Sequence, residues 1–146
     1  MNPFRSLRDY EEFIYTLRQR FPIVRQSTLV VIPRGRRIAM LRGEVLFDQG
    51  FRLTIAERLS DEGGNVVIEA YGYELWREHE KLAWYDPQPH PDVPELQISL
   101  PHHKHVPPDI KHNRISAPLM RFDQPNLPAL INEIELLMST TIADES

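Results

Sequence analysis

The sequence contains no cysteine, which rules out disulfides and thiolate metal sites. The same absence leans the expected compartment toward the cytoplasm, where structural disulfides are rare. No stretch comes near the roughly 18 consecutive apolar residues of a membrane-spanning helix. The opening "MNPFRSLRDYEEF" lacks the continuous apolar core of a secretory signal, so neither membrane nor export is expected. Positive charge is missing from one whole region: residues 122–146 hold five acidic side chains and no Lys or Arg.

The charges that are present fall into blocks. Net charge is −4 over 146 residues, a length that suits one domain burying about two-thirds of its unfolded surface. Residues 1–42 carry nine Arg against three acids, and residues 43–99 carry four basic residues against twelve acids. Residues 100–121 return to four basic residues against one acid. If the two basic blocks share a face, that face suits a phosphate chain despite the negative total.

Periodicity predicts an α+β fold: an N-terminal helix, an antiparallel β-meander of about five strands, and a C-terminal helix packed on the sheet. The expected division of the single domain 1–146 is a helical segment over 1–25 and a meander over 28–106. A Pro/His-rich region over 87–125 overlaps it, and a helix follows over 126–138. Leu7, Tyr10, Phe13, Ile14 and Leu17 recur at helical spacing, with Ser6 placed to cap a helix over 6–20. "TLVVI", "RRIAMLRGEVLF", "FRLTIAERL", "VVIEAYGYELW" and "KLAWYD" read as strands joined by short turns. "ELQISL" suits a further strand. Ten of the thirteen prolines lie between Pro87 and Pro128, where regular structure is interrupted. Asn126 and Pro128 suit a helix start, and the tail "STTIADES" reads as frayed.

The most unusual segment is "LPHHKHVPPDIKHNR", Leu100 to Arg114, with four histidines, two lysines and an arginine in fifteen positions. In an extended chain His103 and His105 project to one side, with His102 and Lys104 on the other. Imidazoles titrate near neutrality, so His103 and His105 are the candidate general base and acid, with His102 and His112 in reserve. Lys104, Lys111 and Arg114 are the candidate phosphate contacts. Together they meet the needs of RNA cleavage through the 2′-hydroxyl without a metal, so no cofactor is expected. Tyr85 and Asp86 end the preceding strand and are placed to support the site.

A divalent ion held by these imidazoles with Asp86 or Asp109 is the alternative. It ranks lower because "HHKH" is neither a helical H-x-x-x-H nor a Cys/His ribbon, and Lys104 would repel the ion. An ordinary polar loop explains the same residues about as well. Glu57 is a second oddity, since strict alternation puts it on the apolar face of Phe51, Leu53, Ile55 and Leu59. There it either orients a histidine or forms a structural ion pair. Glu69 is expected to pair with Arg37, Arg42 or Arg52. Tyr71, Tyr73, Trp76, Trp84 and Tyr85 are core residues before they are base-stacking platforms.

"LRGEVLF", "LTIAERL", "YGYELW", "LAWYDPQPHP", "LPHHKHVPPDIKHNR" and "PNLPALINEIELLM" occur in this order. Over about residues 36–138 the chain thereby resembles the TumE family, small prokaryotic proteins grouped with the toxins of type II toxin–antitoxin pairs. The resemblance implies a toxin neutralised by direct binding of a DNA-binding antitoxin, and suggests an RNase-like activity that blocks translation. Residue roles rest on side-chain chemistry and not on the resemblance. Two rival readings remain: a metal-dependent phosphoesterase, and a non-enzymatic interaction protein that uses the Arg-rich opening helix and a sheet edge. Homo-oligomerisation is compatible with each.

Overall fold

The computed structural model describes residues 2–61, 64–87, 102–107, 109 and 114–145. Helix α1 (Leu7–Tyr15) follows a 3-10 turn at Pro3–Arg5 and starts where Ser6 Oγ accepts the Asp9 amide at 3.0 Å. Its stripe of Tyr10, Phe13 and Ile14 is buried, as is Leu17 in α2 (Leu17–Arg20). The single helix expected over 6–20 is therefore broken at Thr16. The Thr16 hydroxyl donates to the Glu12 carbonyl at 2.7 Å, the local side-chain bond that competes with helix continuation.

Among the described residues eight strands form one antiparallel sheet: β1 (Gln26–Ser27), β2 (Val30–Pro33), β3 (Ile38–Leu46), β4 (Phe51–Ser60), β5 (Val67–Arg77), β6 (Glu80–Asp86), β7 (His103–His105) and β8 (Arg114–Ser116). Their order is β1-β3-β4-β5-β6-β7-β8, with β2 also paired to β3. The long strands follow the predicted meander, and the count rises above five because β1, β7 and β8 are two or three residues each. Gly43 has φ +139°, and a Cβ there would meet the Thr28 carbonyl oxygen at 2.7 Å, so glycine lets the link between β1 and β2 run close beside β3 in the same register. The predicted "ELQISL" strand lies outside the described residues.

One sheet face is the core. Leu41, Val45, Leu53, Ile55, Leu59, Tyr73 and Leu75 are buried there with α1 and with Leu127, Leu130, Ile131 and Ile134 of α3 (Leu127–Glu145). Full burial of each such aliphatic side chain is worth about 1.5–3 kcal/mol. Helix α3 does not end at 138. No Gly or Pro follows to stop it. Asn126 precedes α3, but its side chain serves the turn instead of the helix end. Its carbonyl oxygen accepts the Arg121 amide at 2.8 Å, and its NH2 donates to the Tyr73 hydroxyl at 3.1 Å. The opposite sheet face carries no described helix. No described helix is long and apolar enough to cross a membrane.

Candidate functional site

Strand β7 pairs antiparallel with β6 so that Asp86 lies opposite His103 and Trp84 opposite His105. Alternation then sends Asp86, His103, His105 and Trp84 to the outer face, away from α1 and α3. His103 Nε2 lies 2.8 Å from Asp86 Oδ1, and His105 Nε2 lies 3.1 Å from Asp86 Oδ2. The two Nε2 atoms are themselves 3.1 Å apart. Both imidazoles are buried, at 1% and 3% exposure, while the Asp86 side chain keeps 13% of its surface open. The His105 ring stacks on Trp84 with centroids 4.3 Å apart, which fixes its plane.

The surrounding outer face carries cations and aromatic rings, with Glu74 among them paired to Lys81 at 2.5 Å. Arg114 sits beside His105 in the ladder, and its buried Nε has no hydrogen-bond partner among the described residues. Arg52 lies over Trp76 at 4.6 Å, and Lys81 lies 5.4 Å from both the Trp76 and Trp84 rings. A track of alternating cations and rings thus leads to His105. Ala56, Ala70 and Gly72 line shallow hollows on this face, one of them rimmed by Arg42 and Arg58. Arg42 is exposed and makes no ion pair among the described residues, whereas Arg58 holds Glu69 at 3.1 Å.

Residues 13–138 match the family model described as Toxin TumE. The chain belongs to the TumE toxin family. This is a family of toxin–antitoxin toxins, so a cognate antitoxin is its implied partner. No curated protein and no solved structure matches the chain.

In this TumE-family toxin the predicted site residues divide between the two faces. His103, His105, Asp86 and Arg114 come together on the outer face. Lys104 and Tyr85 point inward, where the Lys104 ammonium and the Tyr85 hydroxyl both bind the Glu133 carboxylate of α3. Burial, followed by the Glu133 charge, pushes the Tyr85 hydroxyl pKa up. His102 also points inward, stacked on Tyr71, with Nδ1 2.6 Å from the Tyr71 hydroxyl. Its pKa is lowered by burial first and then by the Arg121 and His103 charges. Asp109 is exposed and is not one of the three residues whose donor atoms converge. Lys111, His112 and His90 lie outside the described residues.

Glu57 reaches no histidine. It is buried on the core face, where it accepts the Tyr10 hydroxyl at 2.6 Å and also the Tyr73 hydroxyl. Burial raises its pKa to about 6, against the opposing pull of the two tyrosine hydrogen bonds. Glu69 is a surface ion-pair partner as expected, though of Arg58, because the pairing of β4 with β5 shifts register at Arg58/Leu59. Tyr71, Tyr73 and Tyr85 belong to the core, while Trp76 and Trp84 lie on the outer face. The sequence already set Asp86 beside these histidines, and the β6–β7 register puts it opposite His103, within reach of both rings.

Proposed function

We propose that this toxin cleaves RNA on the outer face of its sheet and is silenced when its antitoxin binds. The observation that carries the reading is the Asp86 carboxylate bridging two imidazoles at the end of a cationic, aromatic track. Single-stranded RNA suits that track, because bases stack on indoles and guanidinium planes while phosphates seek the arginines. Arg114 and Arg42 are the proposed phosphate contacts, with His103, His105 and Asp86 as the reacting centre.

The inferred step is attack of a 2′-oxygen on the adjacent phosphorus. The P–O5′ bond breaks, leaving a 2′,3′-cyclic phosphate and a 5′-hydroxyl. The proton lost by the 2′-hydroxyl is taken up at the centre, and one is returned to the departing 5′-oxygen. RNA and antitoxin share the cytoplasm, which is the proposed place of action.

Incubating untagged protein with mixed RNA and analysing the fragment ends tests this. Cleavage with cyclic phosphate ends is expected, and it should fall about 100-fold or more in His103→Ala or His105→Ala. Intact RNA, or cleavage unchanged in folded variants, would overturn it. Growth arrest on expression, relieved by the product of a neighbouring gene, is the expected cellular counterpart.

A further inference from the structure

We propose that Asp86, His103 and His105 form a binding site for one divalent transition-metal ion of the zinc or manganese type. The site deepens the proposed RNA-cleaving centre and rests on that reading for its catalytic meaning alone.

The first support is geometric. One donor atom from each of the three residues lies within 4.8 Å of the other two. His103 Nε2 is 2.8 Å from Asp86 Oδ1, His105 Nε2 is 3.1 Å from Asp86 Oδ2, and the two nitrogens are 3.1 Å apart. Ligands about 2.0–2.1 Å from a tetrahedral ion are about 3.3 Å apart along the polyhedron edge. The two nitrogens already stand near that spacing and each faces one Asp86 oxygen, so the carboxylate and both imidazoles converge on one place.

The second support is the proton count. Two Nε2 atoms 3.1 Å apart face the same carboxylate. With a proton on each, the two N–H groups donate to separate oxygens of Asp86, at 2.8 and 3.1 Å. With both bare, the two lone pairs and the carboxylate are directed at one place, and a cation there takes all three together.

The third support removes the objection raised by the sequence. Lys104 interrupts the histidines in the chain, but alternation places it on the core face in contact with Glu133, so its charge is not directed at the site. Two neutral imidazoles and one carboxylate are the donor set that suits borderline divalent ions and leaves coordination positions open. The stacked indole of Trp84 holds one ligand ring in place. Arg114, next to His105 in the ladder, suits an anion bound at an open position of the ion. A phosphate oxygen is such an anion.

The test uses the full, untagged chain, stripped with a chelator and then freed of it. Zn²⁺, Mn²⁺ and Co²⁺ are each titrated by calorimetry, with Co²⁺ also followed by its visible absorption. Uptake of one ion per chain with a raised Tm is expected. Loss of at least about 100-fold in affinity is expected for His103→Ala and for His105→Ala, beyond the effect typical of outer residues. Lys104→Ala should bind as the wild type does. Folded, stripped wild type that takes up no ion overturns the site, whatever the variants do. Equal uptake by a folded His103→Ala/His105→Ala double variant also overturns it. The RNA assay, run in parallel, separates the two readings. Ion uptake with intact RNA supports the site and removes the nuclease. Full cleavage by protein proven metal-free keeps the nuclease and overturns a catalytic role for the ion.

Discussion

The two faces of the sheet each bury a carboxylate between two ring-bearing partners, yet the results differ in kind. On the core face Glu57 accepts hydroxyl protons from Tyr10 and Tyr73, and Tyr73 is held in turn by Asn126. Both tyrosines keep their protons at neutral pH, their pKa values raised by burial and by the Glu57 charge. The hydrogen bonds of that cluster are made within it, so it ties α1, the sheet and the turn before α3 together. On the outer face Asp86 meets imidazoles, whose nitrogens can give a proton, take one or ligate an ion. A buried carboxylate is structural or reactive according to what its partners can do.

The largest expected effect breaks the core-face cluster. Glu57→Leu leaves two buried tyrosine hydroxyls without their acceptor and should lower unfolding stability by about 3 kcal/mol in denaturant titrations. Asp86→Asn is the matching change on the outer face. It should reduce RNA cleavage about 100-fold, with a much smaller change in stability. Equal loss of stability from both substitutions would erase the distinction between the faces.

Acidity sharpens the same contrast. The Glu57 pKa is raised from 4.5 to about 6 in the folded chain, so the native state binds the extra proton between those values. Its contribution to stability is therefore fully present below pH 4.5 and declines as pH rises through about 6. The decline amounts to about 2 kcal/mol. Unfolding curves of wild type and Glu57→Gln across this range should differ in slope, with the glutamine variant flatter. Trp84→Ala should release the His105 ring and weaken metal uptake about 10-fold, as loss of an outer support does. The smallest effect belongs to Lys104→Met. It breaks the partly exposed pair with Glu133, should lower stability by about 1 kcal/mol, and should leave metal uptake unchanged.

Much of this was legible before any coordinates. The Ser6 cap, the stripe from Tyr10 to Leu17 and the long strands β3 to β6 follow local periodicity, and so does the placement of His103 and His105 on one side. The break at Thr16 was missed because a hydroxyl turning to its own i−4 carbonyl leaves no mark in an apolar stripe. The Arg58 partner of Glu69 was not legible because one extra residue in β5 shifts its register against β4 at that point. Alternation already put Lys104 on the side away from His103 and His105, but its Glu133 partner was not legible because α3 lies far along the chain.

By itself the sequence determined the family resemblance, the α+β class, the burial of Glu57 and the shared side of the two histidines. Each of these depends on residues near one another in the chain and on fixed helical or strand periods. The tertiary structure decided that Asp86 lies opposite His103, that Lys104 turns to Glu133, and that Glu57 is satisfied by tyrosines from α1 and β5. Those partners meet through strand register and helix packing, which the whole core selects.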